Sequence, residues 1–224
     1  VKFWGNVGSQ PSRTIMFLLK KLEVEHEYIH VAIPKETRSE EFKTDVNPRG
    51  QVPVLEVEGI KLYQSSAIIR YLCDTFDTSE SQLPKSDLVK RAQADAWFDV
   101  SNTVYRPSFV QAYLPISLGP MLFGMTKPGD EECKTLMEGV HGSLKDLDSN
   151  LQESKFLTGD LLSIVDVYLF NELLSVCTYL KIDTSVYEKL HAWRDAVREE
   201  EIVAEIEQQF FEVVAKFKES AQKE

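Results

Sequence analysis

Three short motifs in the first third of the chain place polar groups where an anionic ligand would bind. The first, residues 9–13 (SQPSR), puts hydroxyls at the expected start of a helix, because Pro11 suits a first helical turn. The N-terminus of a helix is partially positive, which makes Ser9 a candidate hydrogen-bond donor to an anion. Serine is also a preferred helix cap, so Ser9 or Ser12 acting only as a cap is the alternative.

The second motif, residues 47–55 (NPRGQVPVL), has a proline at the entry to an expected central strand. Because Pro53 cannot donate to a sheet, its position there requires a special geometry. We predict a cis Val52–Pro53 bond, which would leave the backbone N–H and C=O of Val52 free to pair with a peptide ligand. A trans proline on an edge strand is the alternative.

The third motif, residues 63–68 (YQSSAI), sets Gln64 and Ser65 at the mouth of an expected helix. Both side chains are hydrogen-bond donors, and together with the helix N-terminus they form a site that suits a carboxylate. A plain helix cap is again the alternative.

Short segments that alternate between strand and helix must position these motifs. Strand signals occur at residues 2–4, 26–31, 53–57 and 60–62, and helical periodicity occurs at 11–22, 39–46 and 65–76. Glu58 and Gly59 are expected to turn the third strand into the fourth. The predicted order is β-α-β-α-β-β-α, which is that of a thioredoxin-like domain.

The rest of the chain carries helical patterns. Helices are predicted at residues 88–113 with a kink at Pro107, at 130–151, at 187–199 and at 202–218. A further helix should begin at Ser163, which forms a capping box with Asp166.

A polar stretch separates the two regions and is typical of an exposed connection. We therefore predict an α+β thioredoxin-like N-terminal domain at residues 1–77, a linker at 78–87 and an all-α C-terminal helical domain at 88–224.

The composition narrows the classes of partner. The net charge of −11 would repel a phosphate backbone, so no nucleic acid partner is expected. No segment is apolar for long enough to cross a bilayer, and the first ten residues lack the pattern of a signal peptide. We expect a cytoplasmic location and no membrane partner. Three widely separated cysteines, Cys73, Cys133 and Cys177, suggest core packing and neither a disulfide framework nor a metal site.

The three motifs, in this order on these elements, resemble the glutathione transferase superfamily, and the resemblance covers both domains. The SQPSR start, the stretch 91–106 and the segment 156–166 are similar to the theta class and related serine-type classes. Gln64 departs from the theta class, which has glutamate there, and is similar to the tyrosine-type classes. The resemblance implies a transferase that conjugates glutathione, its co-substrate, to small hydrophobic electrophiles, with no metal.

The resemblance also assigns roles to the motif residues. Ser9 is implied to hydrogen-bond the thiolate of glutathione as the catalytic residue. Val52, before a cis Pro53, is implied to pair with the cysteinyl unit, while Gln64 and Ser65 hold the γ-glutamyl end.

At the glycine end of glutathione the resemblance places Gln51. Arg38 lies near a position where the class often has histidine, with Thr37 as the alternative in a shifted alignment.

The electrophile site is implied to include Arg106, which matches a theta-class arginine facing the active site, with Tyr105 and Tyr113 as further candidates. Arg106 would attract the sulfur or an anionic leaving group, and a surface ion pair is the alternative. The resemblance also implies a homodimer, in which the third and fourth helices, including Arg70 and the region of Asp95, face the partner.

Other functions stay open from the sequence. A relative that has lost catalysis would serve as a binding or scaffold module. A redox enzyme would need a cysteine at the start of the first helix, where Ser9 and Ser12 stand. Glutathione-dependent peroxidase or dehalogenase activity would use the same bound thiolate as conjugation does.

Overall fold

The computed structural model describes residues 1–151 and 154–221. A small mixed sheet with helices is followed by a helical region, which confirms the predicted fold class. The strands are β1 (Lys2–Gly5), β2 (Glu27–His30), β3 (Val54–Val57) and β4 (Ile60–Tyr63). The helices among them are α1 (Gln10–Lys21), α2 (Glu40–Asp45) and α3 (Ser65–Phe76).

The sheet has the strand order β2-β1-β3-β4, with β1 parallel to β2 and antiparallel to β3. The central strands are apolar, and Phe3, Val54 and Leu55 are fully buried in them. Strands β3 and β4 form the predicted hairpin. Its turn residues, Glu58 and Gly59, have φ angles of 50° and 80°, which are the left-handed values that a two-residue hairpin turn requires.

The helical region contains α4 (Leu88–Val100), α5 (Arg106–Tyr113), α6 (Gly119–Phe123), α7 (Asp130–Asn150), α8 (Ile164–Leu180), α9 (Glu188–Arg198) and α10 (Glu201–Ala221). Residues 222–224 of the predicted C-terminal domain lie outside the described residues. Helix α1 packs against both α3, which follows the sheet in the chain, and α8 of the helical region. The start of α1 is therefore placed where the two regions meet.

Helices α4, α5 and α6 follow one another through two π-helical turns, Ser101–Tyr105 and Leu114–Leu118. The prediction of a single helix ending at residue 113 was therefore too short, because helical conformation continues to Phe123. The expected kink takes the form of the first π-helical turn, which precedes Pro107. A wider turn accommodates a residue that has no N–H for the regular helical ladder.

Helix α8 begins where the sequence predicted it. The carboxylate of Asp166 accepts hydrogen bonds from the N–H and the hydroxyl of Ser163 at 3.0 and 2.8 Å. It also accepts from the N–H of Leu157 at 2.8 Å and from the indole of Trp193 at 2.9 Å. Burial raises the pKa of Asp166, although these hydrogen bonds act in the opposite direction. One buried carboxylate thus joins the start of α8, the loop before it and α9.

The Val52–Pro53 bond is cis, as predicted, and Ile33–Pro34 is a second cis bond that the sequence analysis did not anticipate. Cys73 is buried in the core, whereas Cys133 and Cys177 are only partly buried. Across residues 1–151 and 154–221, no helix is both long enough and apolar enough to span a membrane.

Candidate functional site

A cavity of about 350 Å³ lies at the junction between the sheet and the helical region, and residues of all three motifs line it. They are Ser9 and Pro11 from the first motif, Asn47, Gly50, Gln51, Val52 and Pro53 from the second, and Gln64 and Ser65 from the third. The helical region contributes Asn102, Arg106 and Tyr168. The fold thus brings into one place residues that the sequence keeps up to 159 positions apart.

Ser9 stands immediately before α1 in extended conformation, and its side chain makes no capping hydrogen bond. Among the residues that the structure describes, no group pairs with its hydroxyl. Ser9 thus occupies the cap position of α1, but its side chain does not act as a cap. Ser12 also fails as a cap, because it is fully buried and its hydroxyl has no partner in the described part of the chain. The Ser9 hydroxyl remains available to an anion in the cavity at the positive end of α1.

Arg13 holds the loop that carries Ser9. Its fully buried guanidinium donates to the C=O of Val7 in that loop at 3.0 Å. It also donates to the backbone and side-chain oxygens of Asn171 on α8, both at 2.9 Å, and lies 4.1 Å from the ring centroid of Phe210. Burial lowers the pKa of Arg13 to about 10. Helix α8 therefore fixes the position of the Ser9 loop.

Val52 has a backbone N–H and a C=O that pair with nothing in residues 1–151 and 154–221. The loop before it is held by buried Asn47, whose amide donates to the C=O of Gln51 at 2.7 Å. The side-chain oxygen of Asn47 accepts from the N–H of Arg49 at 3.1 Å. An internally bonded loop thus leaves the unpaired N–H and C=O of Val52 at the cavity wall, which is what strand-like pairing with an extended peptide requires.

Gln64 occupies the cap position of α3 with φ 74°, but its side chain makes no capping hydrogen bond. A left-handed φ in a residue other than glycine is strained, and such strain is concentrated at ligand sites. In the described chain its side-chain amide and the N–H groups of Ser65 and Ser66 have no partner. The Ser65 hydroxyl lies 3.5 Å from the hydroxyl of Tyr168, and either oxygen can donate. These donors converge at the positive end of α3, which suits a carboxylate.

The cavity wall distinguishes between Thr37 and Arg38, the two alternatives that the sequence analysis left open. Thr37 is buried and lines the cavity, whereas the next residue, Arg38, is exposed with its guanidinium 5.5 Å from the ring centroid of Phe123. Gly50 packs against Thr37, because a Cβ on Gly50 would lie 2.6 Å from the Thr37 C=O oxygen. The geometry therefore favours Thr37 over Arg38. Gln51 lines the same wall.

Arg106 reaches the cavity from α5 and donates through Nη1 to the carboxylate of Glu172 on α8. This is not a surface ion pair, because the Glu172 side chain is 1% exposed, while that of Arg106 is 32% exposed. Burial alone would lower the pKa of Arg106, but the negative charge of Glu172 raises it above its ordinary value. The family resemblance thus predicted an active-site position for Arg106, but nothing in the sequence identified Glu172 as its partner.

The two tyrosines named with Arg106 lie elsewhere. Tyr105 donates to Asp146 on α7 at 2.8 Å and lines a second cavity of about 580 Å³. Tyr113 is buried, and its hydroxyl accepts a hydrogen bond from the Gln10 amide at 2.5 Å. Successive helical residues project about 100° apart, so Tyr105 and Arg106 face different neighbours. Burial raises the pKa of Tyr113 to about 12, which keeps this phenol neutral.

The sequence analysis did not predict Asn102 and Tyr168, which both line the cavity. The hydroxyl of Tyr168 donates a hydrogen bond to the side-chain oxygen of Asn102 at 2.8 Å. Both lie inside helical patterns, where no local signal separates them from their neighbours. It also missed Asn171 and Glu172, for which a signal existed. They interrupt an apolar run at residues 167–174, and polar residues in a helix buried on all sides need partners.

Comparison with known families agrees with this geometry. Residues 1–74 match the family "Glutathione S-transferase, N-terminal domain", and residues 108–201 match "Glutathione S-transferase, C-terminal domain". The chain is 31% identical to glutathione S-transferase theta-3 from mouse over 212 residues, which cover 94% of this chain and 86% of the mouse protein. It is 28% identical to glutathione S-transferase F9 from Arabidopsis thaliana, over 75% of this chain and 76% of that one.

Solved structures of human theta-class proteins have the same architecture. Human glutathione S-transferase T1-1 in its apo form superposes with a TM-score of 0.87 at 26% identity, covering 97% of this chain and 90% of that one. Human glutathione transferase theta-2, solved with glutathione and an unknown ligand, gives a TM-score of 0.86 at 27% identity. The coverage there is 99% of this chain and 90% of that one.

Proposed function

We propose that this chain, which belongs to the glutathione S-transferase family and is a theta-like glutathione transferase, conjugates glutathione to small hydrophobic electrophiles. In the proposed mechanism, Ser9 stabilises the thiolate of bound glutathione, which then attacks the electrophile. The observation that carries the proposal is the Ser9 hydroxyl, which lines the cavity at the positive end of α1 without a described partner. A hydroxyl in that position donates to an anion and requires no base.

The magnitudes support one hydroxyl as a sufficient activator. A free thiol has a pKa of about 8.5, so only a few per cent is thiolate at neutral pH. A hydrogen bond to a charged group contributes about 1.5 to 3 kcal/mol, and a helix N-terminus adds about 0.3 to 1 kcal/mol. Together these terms lower the thiol pKa by about one to three units. Thiolate becomes the major species at pH 7 once the shift exceeds about 1.5 units, which lies within this range.

The unpaired groups of the cavity fit a tripeptide. The free N–H and C=O of Val52 pair with its cysteinyl unit, and Gln64, Ser65 and the N-terminus of α3 hold the γ-glutamyl carboxylate. Gln51 and Thr37 line the wall proposed for the glycine end. The structural relative theta-2 was solved with glutathione, which supports the same ligand here. Glutathione supplies the sulfur nucleophile, which forms a carbon–sulfur bond as the leaving group departs.

On the electrophile side we retain Arg106, which shares the cavity with Ser9. Tyr105 lines the second cavity, and the hydroxyl of Tyr113 accepts the hydrogen bond from Gln10. Neither tyrosine is therefore proposed to contact the electrophile. Arg38 is likewise replaced by Thr37 at the glutathione site.

We also propose that the protein is a homodimer and has a cytoplasmic location. The first domain would end at residue 77 and the second would begin at residue 88. The expected dimer face lies on α3 and α4, where Val89 and Val100 are exposed. Arg70 and Asp95 pair with each other within the chain at 2.7 Å. Their ion pair replaces the Arg70–Asp74 pair that the helical spacing alone would suggest.

Retention on immobilised glutathione, followed by turnover with aryl halides, epoxides, alkyl halides and hydroperoxides, tests the function. We expect retention, elution by free glutathione and turnover of at least one class. Turnover confined to hydroperoxides or to alkyl halide hydrolysis would identify a peroxidase or a dehalogenase. Failure to bind glutathione would contradict the proposal.

A further inference from the structure

We infer that Glu172 is a positioning residue of this site: it holds the Arg106 guanidinium at the cavity wall and cancels its charge there, so that Ser9 and α1 stabilise the thiolate without a free cation. The inference rests on the proposed function, because it concerns the charge balance around the glutathione thiolate. Glu172 lies outside the three sequence motifs and does not line the cavity in the described chain.

The two side chains of the ion pair are buried to different degrees, so they have different roles. Glu172 is almost completely buried on α8, whereas a third of the Arg106 side chain is exposed and lines the cavity. Only Nη1 of Arg106 contacts the carboxylate, and no described group accepts from its Nε or Nη2. The buried carboxylate thus orients a guanidinium whose other donors are available at the cavity wall.

The second carboxylate oxygen of Glu172 contacts the first motif, which contains Ser9. The Gln10 amide donates to Oε2 of Glu172 at 3.3 Å and to the hydroxyl of Tyr113 at 2.5 Å. Arg106 contacts Oε1 of the same group. Glu172 therefore accepts hydrogen bonds from both Gln10, the neighbour of Ser9, and the cavity arginine.

The surrounding charges leave Glu172 as the balancing anion. Arg13, Tyr113 and Tyr168 are the other titratable groups that act on the pair, and both tyrosines have a raised pKa from burial. They are neutral near pH 7. Arg13 is a second buried cation, but its hydrogen bonds go to neutral oxygens of the Ser9 loop and of α8. Without Glu172, Arg106 would lose its described anionic partner at the cavity wall, whereas Arg13 would keep the charge of the buried Glu207, which also acts on it.

A double-mutant cycle separates this role from simple support of the fold. Glu172→Gln leaves Arg106 uncompensated and should lower the pKa of bound glutathione thiol by about 0.5 to 1.5 units. Arg106→Gln leaves Glu172 uncompensated and should raise that pKa by a similar amount. The double variant should return within about 0.3 units of the original protein. A residue that only supports the fold would lower the melting temperature without shifts of opposite sign.

The measurement is the thiolate absorbance near 240 nm in a pH titration of the bound tripeptide. Glu172→Asp is the matched control, because it keeps the charge, and its thiol pKa should stay near that of the original protein. If Glu172→Gln does not fold, the thiol pKa of Arg106→Gln alone tests the inference, because the Arg106 side chain is partly exposed and easier to replace. The inference is overturned if the single substitutions shift the pKa in the same direction or not at all. Absence of glutathione binding by the original protein would instead overturn the proposed function, and the inference with it.

Discussion

The side-chain amide of Gln10 donates to the hydroxyl of Tyr113 at 2.5 Å, which ties the first turn of α1 to α5 in the helical region. Next to it, Ser9 has no such bond in the described chain. Adjacent residues thus have opposite roles, since one connects the two regions and the other is left with an unpaired hydroxyl in the cavity. A hydroxyl held in place by its neighbours needs no reorganisation when charge develops nearby.

Ser9→Ala should raise the pKa of bound glutathione thiol by about one to two units, because one charge-assisted hydrogen bond is lost. Turnover at neutral pH should fall about 10- to 100-fold, while affinity for glutathione stays within a few fold, since the contacts proposed for Val52, Gln64 and Ser65 are unchanged. The 240 nm titration and steady-state rates measure both effects. Ser12→Ala is the control, because that hydroxyl is buried and unpaired. Equal behaviour of the two variants would remove Ser9 from the mechanism.

Gln64→Ala and Ser65→Ala should each weaken glutathione binding by about 10- to 100-fold, which corresponds to about 1.5 to 3 kcal/mol for a bond to a carboxylate. Isothermal titration calorimetry measures the dissociation constant directly. Ser66→Ala is the matched control, since it lies at the same helix end but does not line the described cavity. Unchanged affinity in both test variants would contradict the proposed γ-glutamyl site.

Asp77 should make the protein lose stability in acid. Its carboxylate accepts from the N–H groups of Gln82 and Leu83 and from the Ser79 hydroxyl, which organises the segment after α3. Burial alone would raise the pKa of Asp77, but these hydrogen bonds lower it below its ordinary value. Its contribution is therefore present above the unfolded-state pKa of about 3.9 and is lost as the pH falls below it.

Melting temperatures between pH 3 and pH 7 test the role of Asp77. The original protein should lose more stability than Asp77→Asn over the acid part of this range, and the two curves should converge at low pH. Parallel curves would show that Asp77 makes no pH-dependent contribution.

Asp166→Ala should destabilise the fold by about 2 to 4 kcal/mol, because four donors lose their common acceptor in a buried site. Urea unfolding followed by circular dichroism gives the change. Asp160→Ala is the control, since Asp160 is exposed, and it should stay within about 0.5 kcal/mol of the original protein. Equal stability of the two variants would mean that the Asp166 network contributes little.

Light scattering should give a mass of about twice the 25.6 kDa of one chain at micromolar concentration. Val89→Glu should shift the equilibrium toward the monomer, because it places a charge on the exposed face of α4. Val186→Glu is the control, since Val186 is exposed to a similar degree, 74% against 71%, outside α3 and α4. A monomeric original protein, or equal effects of the two substitutions, would contradict the proposed dimer face.

Signals that span a few residues were enough to predict much of the fold. Strand alternation, helical periodicity, the Glu58-Gly59 turn and the Ser163–Asp166 cap depend on neighbours in the chain, and the structure contains all of them. The three motifs were also found from sequence, because each combines a proline or polar pair with the start of an element. Ser9, Val52, Gln64 and Ser65 lie in these local patterns, whereas Gln51 and Thr37 were assigned through the family resemblance.

Only the tertiary structure decided which of these side chains are free and which are paired. Arg106 and Glu172 are 66 positions apart, and Gln10 and Glu172 are 162 apart, so no local pattern could join them. The sequence could not distinguish Tyr105 from Arg106 either, because the direction of a helical side chain is set by the helices packed around it. Whether Ser9 caps α1 or faces a ligand likewise depends on the loop that Arg13 fixes to α8. Hydrogen bonds between distant segments form only once the core has packed, and those contacts determine the charge and the free donors of the cavity.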